Sequence, residues 1–338
     1  MDAQRHILSI MVITYNEARH VARLQRSVDA LRKPDGVQVE TILVDGGSTD
    51  GTADAAREAG FTVVDVMPGA NIPVCRNRAA QLASGDWFAY VDGDCELASD
   101  WLEVASSFLR EYRRVLLGWP ARPPEPMNPL QAAWNFHWLN KNPHMIEVLG
   151  RQIVQHEGFR LATTRNMVLH RTVFEAVQGF NESLPTGEDT DFAFRVYMEK
   201  IPAFGVPDLR VIHHGEPVTL GQFYKQQLWH ANRRSYEHIR RLSGGRVGGN
   251  APRFTWAFLF ALLAALASVP IAWFTGRLGW IALLLPWLAV IGLPATFISL
   301  KGRTLRHFPM LCLLYATYGW ARMIDLIGLS PHKPSWKS

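Results

Sequence analysis

The sequence predicts an α/β fold, a mostly parallel sheet with helices on both faces, followed by a C-terminal transmembrane helical region. Three observations carry that expectation. Strand-like and helix-like segments alternate from the start of the chain. Carboxylates gather where the strand-like runs stop. From Phe254 onward the composition turns to Leu, Ala, Trp, Ile and Phe in long uncharged runs. The division that follows is an α/β domain over 1–225, a basic connector over 226–253 and a membrane region over 254–329.

Ile7 to Ile13 has the length and composition of a buried strand, closed by Thr14-Tyr15-Asn16-Glu17. Ala18 to Leu31 reads as a helix. Val39 to Val44 is a second strand and runs into Asp45-Gly46-Gly47-Ser48-Thr49-Asp50-Gly51-Thr52. Ala53 to Ala59 is helical, Phe61 to Val66 is a third strand, and Arg76 to Ala83 is a helix. That helix leads into Trp87 to Val91, an apolar strand that stops at Asp92-Gly93-Asp94. In parallel sheets ligands bind at the carboxyl ends of the strands. Those ends carry Asn16, Glu17, Asp45, Asp92 and Asp94 here.

Two carboxylates flanking a glycine can turn toward one point, and such hard oxygen ligands suit Mg²⁺ or Mn²⁺. The competing use of Asp-Gly is a solvated turn. Asp45 and Asp50 have a similar alternative, capping the turn and the next helix. The chain has neither G-x-G-x-x-G nor a P-loop, so an acidic strand-end site needs a metal to hold phosphates.

Further on, Pro120 to Pro129 reads as irregular, and Leu130 to Leu139 as a helix bearing Trp134, Phe136 and Trp138. A loop at Pro185-Thr186-Gly187 precedes a helix that begins at Glu188. Glu188, Asp189 and Asp191 are more carboxylates than capping needs, and their repulsion raises at least one pKa, which suits a general base. A strand over Leu209 to Ile212 delivers His213-His214, and an imidazole there can complete a carboxylate metal site.

These segments together resemble the family-2 glycosyltransferases, and in particular those of bacterial exopolysaccharide assembly. The order and spacing match over Val12-Ile13-Thr14-Tyr15-Asn16-Glu17, Val44 to Thr52, Arg76-Asn77-Arg78, and Gly85-Asp86 through Asp92-Gly93-Asp94. The match continues over Thr164-Arg165-Asn166-Met167, Gly179-Phe180-Asn181-Glu182 and Gly187-Glu188-Asp189-Thr190-Asp191-Phe192, so it covers roughly residues 7–230. The resemblance implies a Rossmann-like GT-A fold, a UDP- or GDP-sugar donor and a divalent metal, Mg or Mn. It implies that Thr14, Tyr15 and Glu17 contact the nucleoside, that Asp45 holds the base, and that Arg76 lies near the nucleotide. Asp92 and Asp94 form the D-x-D motif on ribose and metal, with His213 as a further metal ligand. Asp189 is the general base, Glu188 positions it or the acceptor, and Asn166 and Asp191 lie on the acceptor side. Processive relatives carry Gln-x-x-Arg-Trp. This chain has Gln226-Gln227-Leu228-Trp229-His230 instead, which favours adding one sugar.

The formal charge of +5 over 338 residues is unevenly spread. Lys225, Arg233, Arg234, Arg240, Arg241, Arg246 and Arg253 cluster before the apolar part, where they suit an anionic membrane surface, and no nucleic-acid motif accompanies them. Cys75, Cys95 and Cys312 lack metal spacing and fit a reducing compartment. The N-terminus carries no secretory signal pattern.

Phe254 to Thr275 and Leu278 to Leu300 are each long enough to span, with Arg277 between them and Lys301, Arg303, Arg306 and His307 after them. The basic clusters place the α/β domain in the cytoplasm, on a multi-pass protein of the inner membrane. Phe308 to Leu329 either spans or lies in the interface, with Arg322 and Asp325 placed to pair on one face. Lys333 and Lys337 favour the interfacial option.

The expected function is transfer of one sugar from a nucleotide donor to a lipid-linked acceptor in cell-surface polysaccharide or glycolipid synthesis. The alternatives are a polyprenyl-phosphate monosaccharide synthase and, in another class, a non-catalytic scaffold or sugar-nucleotide sensor.

Overall fold

A computed structural model describes residues 5–141, 145–155, 158–245, 250–275 and 284–329. The chain forms two compact units, Met1–Pro124 with Pro143–Gly215, and Glu125–Asn142 with Glu216–Ser338.

The first unit begins with β1 (His6–Thr14), α1 (Ala18–Asp29), β2 (Val37–Asp45), α2 (Thr52–Ala59), β3 (Val63–Val66), α3 (Ile72–Leu82) and β4 (Trp87–Asp92). It continues with β5 (Cys95–Leu97), α4 (Trp101–Glu111) and β6 (Leu116–Gly118). After α5 (Pro129–Lys141), which belongs to the second unit, come β7 (Ile146–Val148), β8 (Arg151–Ile153), β9 (Met167–His170), α6 (Arg171–Ala176), α7 (Glu188–Met198), β10 (Ala203–Gly205) and β11 (Val211–His213). The seven-stranded sheet has the order β10-β6-β9-β4-β1-β2-β3. β1 runs parallel to β2 and β4, β2 to β3, and β6 to β10. β9 is antiparallel to both β4 and β6, so the sheet is mixed, mostly parallel, with helices on both sides. β1 and β4 are buried on both faces, which explains why both read as near-continuous apolar runs.

The core runs from Leu8, Ile10 and Val12 of β1 through Ala89 and Val91 of β4 to Val21, Leu24 and Val28 of α1. The spacing of those last three residues sets one helix face against the sheet. One helix boundary moves. α3 starts at Ile72, four residues before the expected Arg76, because Asn71 accepts a hydrogen bond from the Val74 amide (3.1 Å) and Pro73 fits the first turn.

The second unit joins α5 to α8 (Leu220–His230), α9 (Arg233–Leu242), α10 (Asn250–Thr275), α11 (Leu285–Lys301, with a π-helical turn at Leu288–Gly292) and α12 (Phe308–Leu326). Its core gathers Leu130, Ala133, Phe223, Ala295, Ile298, Leu311, Leu314 and Tyr315. α10 approaches α12 closely enough that a Cβ at Gly319 would lie 2.2 Å from the Phe258 ring. Among the described residues α10 is the one helix long and apolar enough to cross a membrane. Its window Arg253–Pro270 has a mean hydropathy of 1.6 and is 17% buried. Phe260, Leu263, Leu266, Trp273, Leu285, Phe297 and Leu300 are exposed. Arg246, Arg277, the start of the expected second span at 278–283, Lys333 and Lys337 lie outside the described residues.

Candidate active site

The sheet register brings the predicted strand-end residues together. Thr14 stands opposite Asp45, and Ile13 opposite Asp92. The β1–α1 loop is laced to the β2–α2 loop. Asn16, at a left-handed φ of 58°, donates its amide to Ser48 Oγ (2.7 Å) and accepts from the Thr49 amide (3.0 Å). The Glu17 amide donates to Thr52 Oγ1 (2.8 Å), and the Ala18 amide to Asp50 Oδ2 (3.1 Å). Tyr15 sits half-buried in this loop. Asp45 is 1% exposed. It accepts from Thr14 Oγ1 and the Gly47 amide (3.1 Å each), from the Ser48 amide (2.7 Å) and from Ser48 Oγ. Those contacts engage both carboxylate oxygens, and through them Asp45 shapes the turn.

Asp92 and Asp94 face cations. Asp92 lies 3.8 Å from Arg76 Nη2 on one side and 3.8 Å from Arg165 Nε on the other. Burial pushes the Asp92 pKa up, Arg76 pulls against it, and Asp94 adds a further push. Asp94 Oδ2 lies 3.1 Å from His213 Nε2. Burial would raise the Asp94 carboxyl, but the hydrogen bond and charge of His213 prevail and carry it to about 2. Glu17, assigned to the nucleoside by the resemblance, stands beside this pair. Burial first, then the charges of Asp94 and Asp92, push it up to about 8.

Short-range pairing builds this corner. β5 and β11 form an antiparallel ladder with His213 opposite Cys95, and the His214 amide donates to the Asp94 carbonyl (2.9 Å). Alternation along β11 sends His213 to Asp94 and His214 to Glu96 Oε2 (3.0 Å). Two glycines leave room for the turn. A Cβ at Gly93 would lie 2.7 Å from Thr14 Cγ2, and one at Gly215 would lie 2.1 Å from Asp94 Oδ2.

The three carboxylates of α7 separate. Glu188 is buried and forms an ion pair with the buried Arg76. Burial pushes Glu188 above the ordinary carboxylate range while Arg76 pulls against it. Asp189 is half-buried, and its Oδ1 accepts from the Thr190 amide (2.7 Å) and Thr190 Oγ1 (3.3 Å). Asp191 is fully buried against Arg195 (2.8 Å), whose guanidinium also donates to the Val177 and Gly179 carbonyls. Asn166 is fully buried as well. It accepts from Trp101 Nε1 (2.9 Å) and donates to the carbonyls of Trp119 (3.0 Å) and Leu209 (2.7 Å). Asn166 and Asp191, expected on the acceptor side, are thus buried ties within the fold.

Sequence reasoning missed three residues. Arg165 was quoted in a motif without a role, yet it flanks Asp92. Gly215 clears space for Asp94. Asn77 clamps the Gly179–Glu182 segment through the Phe180 carbonyl (3.0 Å), the Phe180 amide (2.8 Å) and Glu182 Oε1 (2.8 Å). The signal for Asn77 was present, since both segments belong to the quoted motif set.

The ligand atoms of Asp94, Cys95 and His213 lie within 4.8 Å of one another. Asp94 and His213 fit a divalent cation: the carboxylate is ionised at neutral pH, and Gly215 keeps its oxygen uncovered. Cys95 does not join them. Burial holds its thiol protonated, and the sulfur donates to the Arg165 carbonyl (3.8 Å). The remaining oxygen–imidazole set suits Mn²⁺ or Mg²⁺ better than a soft metal.

A mostly parallel sheet that gathers a D-x-D pair, an imidazole and two arginines at its strand ends defines the GT-A class. The family model described as Glycosyl transferase family 2 matches residues 9–177, and that of Glycosyl transferase family group 2 matches residues 144–300. The chain belongs to glycosyl transferase family 2. It is 27% identical over 235 residues to Glycosyltransferase AglE of Haloferax volcanii, covering 68% of this chain and 73% of that one. An uncharacterized glycosyltransferase of Rickettsia felis is 33% identical over 93 residues, 28% of this chain and 30% of that one. Among solved structures, the mannosyltransferase PcManGT from Pyrobaculum calidifontis, in complex with GDP-Man and Mn²⁺, superposes with a TM-score of 0.62. It shares 18% identity, covering 94% of this chain and 88% of that one, and it supports the GT-A fold.

Proposed function

We propose that this protein is a membrane-bound, inverting glycosyltransferase that moves one sugar from a nucleotide-sugar donor to a hydroxyl of a lipid-linked acceptor, in cell-surface polysaccharide or glycolipid synthesis. The observation that carries the reading is the corner where Asp94 meets His213 and Asp92 lies between Arg76 and Arg165. Asp94 and His213 would hold the divalent cation, with Asp92 beside them on the ribose side. Bound there, the cation would supply positive charge against the leaving diphosphate. Arg76 and Arg165 add fixed charge on the same side, already oriented by Asp92 and Glu188. Thr14, Tyr15 and Glu17 border the nucleoside end of this cleft.

Asp189 would take the proton of the acceptor hydroxyl. Its Oδ1 is held by Thr190, and Oδ2 accepts no hydrogen bond among the described residues. Glu188 keeps Arg76 in place behind it. The exposed apolar surface of α10 and α11 and the exposed arginines of α9 support attachment to a membrane, with the catalytic unit on the cytoplasmic side of the inner membrane.

The test is transfer by the purified full chain from a panel of GDP- and UDP-sugars to membrane lipid extract, with EDTA and with Mn²⁺ or Mg²⁺ restored. GDP-mannose heads the panel because the Pyrobaculum protein is described with it. Metal-dependent labelling of a lipid product supports the reading. Hydrolysis or transfer that ignores EDTA removes the metal, and donor binding without any turnover favours a sensor.

A further inference from the structure

Four helices of the second unit border an apolar cavity of about 430 Å³. Its walls are Tyr224 of α8, Phe258 of α10, Trp287 and Ile291 of α11, and Ala316 and Trp320 of α12. That volume lies in the range of ligand pockets, about 300–1,000 Å³, which hydrophobic and aromatic side chains mostly line. Among the described residues no charged side chain lines it. Thr317, also on the wall, donates its Oγ1 to the Leu313 carbonyl of its own helix (2.8 Å), so it calls for no polar ligand.

The shape follows from the side chains. The Phe258 and Trp287 rings meet edge to face with centres 5.2 Å apart, and the small Ala316 and Thr317 leave a notch beside them. Trp287 precedes the π-helical turn Leu288–Gly292 and Ile291 lies within it; such turns inside helices gather at functional sites. The wall residue Trp320 is 46% exposed, and the same helices expose Phe260, Leu288 and Leu313. A ligand entering from that surface is hydrocarbon.

Basic side chains stand at one end of the notch. Lys225, next to Tyr224 on α8, is exposed. Arg322, two residues past Trp320, lies 5.4 Å from the ring centre of Tyr236 on α9. The first turn of α9 therefore meets α12 within about one helical turn of the notch. α9 exposes Arg234, Arg240 and Arg241. An apolar notch with a basic helix at its end complements an amphiphile that joins a hydrocarbon chain to an anionic head.

We propose that the notch holds the isoprenoid chain of a phosphate-bearing lipid, with the phosphate at the exposed basic side chains of α8 and α9. Methyl branches fill a wide, ring-walled notch that a straight acyl chain leaves partly empty. The inference rests on the lipid-linked acceptor of the proposed function and names its lipid class. Its test reads lipid binding without nucleotide sugar, so the two fail separately. Transfer to water-soluble acceptors alone would remove the lipid-linked acceptor, whereas lipid transfer without binding at the notch would remove only the notch.

The full chain, purified in tetraethylene glycol monooctyl ether micelles, is titrated with farnesyl phosphate, dodecyl phosphate and farnesol. Binding is read by native mass spectrometry and by the thermal midpoint. The wild-type protein should bind farnesyl phosphate about tenfold or more tightly than either of the others. Ala316→Phe fills the notch and should weaken farnesyl phosphate binding roughly tenfold. Trp320→Ala removes an exposed wall, should weaken it by a smaller factor, and serves where Ala316→Phe does not fold. Replacing Arg234, Arg240 and Arg241 together by Gln should bring farnesyl phosphate down toward the farnesol affinity and leave farnesol unchanged. The inference is overturned if dodecyl phosphate binds as tightly as farnesyl phosphate, which marks a site for acyl lipid. It is also overturned if both wall variants bind farnesyl phosphate as the wild type does, or if the arginine variant keeps the preference for the phosphate.

Discussion

Two acidic clusters in the first unit look alike in sequence and behave differently in space. At the end of β4, both aspartates of Asp92-Gly93-Asp94 face basic side chains, Asp92 facing Arg76 and Arg165 and Asp94 facing His213. At the start of α7, Glu188, Asp189 and Asp191 diverge by helical rotation. Glu188 pairs with Arg76, Asp191 pairs with Arg195 one turn along the same helix, and Asp189 Oδ2 accepts no hydrogen bond among the described residues. A strand end with a glycine between carboxylates converges them, whereas on the helix Asp189 is turned about 100° from Glu188, and Asp191, one turn on, meets an arginine of its own helix. Arg76 reaches both clusters, and so links the end of β4 to the start of α7.

The comparison can be broken most sharply at Asp94. Asp94→Ala should lower turnover by about 10⁴-fold, as loss of a metal-holding carboxylate does, and should abolish dependence on added Mn²⁺. Turnover near wild type in this variant would remove the strand-end cluster from the chemistry.

On the helix side, Asp189→Asn should lower turnover by about 10³-fold while leaving donor binding intact, as expected for loss of a general base. A much smaller loss at saturating acceptor would point to an anionic acceptor, a lipid phosphate, which needs no base. Asp191→Asn, one residue-pair away, should act mainly on stability, measured by denaturant midpoint. A selective loss of turnover there would support the acceptor-side assignment.

The residue joining the clusters offers a third test. Arg76→Met leaves Glu188 buried and uncompensated and should destabilise the first unit by about 3–5 kcal/mol. Adding Glu188→Leu should recover much of that stability but none of the activity, which separates packing from chemistry by a double-mutant cycle.

The smallest effect belongs to a carboxylate outside both clusters. Glu40 accepts from Ser9 Oγ, from Ser84 Oγ and its amide, and from the Gly85 amide. Burial would raise Glu40, but these hydrogen bonds prevail and hold it below its ordinary 4.5. The folded chain thus binds fewer protons there than the unfolded chain. The contribution is complete above pH 4.5 and is lost as pH falls through the lower folded value. Glu40→Gln should cost about 1–2 kcal/mol at pH 7, and the difference should shrink on acidification. A pH-independent difference would mean that the cap is not ionic.

Local sequence carried much of the sheet. β1 and β4 were legible because strands buried on both faces are apolar throughout, β2 from its buried Ile42-Leu43-Val44 run, and α7 because Gly187 and three acidic residues mark a helix start. β9 was not legible: four residues, Met167–His170, carry no sign of running antiparallel between β4 and β6. The function of Asn166 was hidden for a similar reason. Its partners Trp101, Trp119 and Leu209 are remote in sequence, so a motif asparagine that ties the fold looks the same as one that binds a ligand.

By itself the sequence determined the strand–helix alternation, the carboxylates at the strand ends and the apolar C-terminal helices, because periodicity and composition are local properties. Tertiary structure alone decided which of two adjacent histidines meets Asp94, which arginine Glu188 and Asp191 each pair with, and that Arg165 flanks Asp92. Each of those outcomes depends on strand register and helix rotation, which are fixed by packing between segments far apart in the chain.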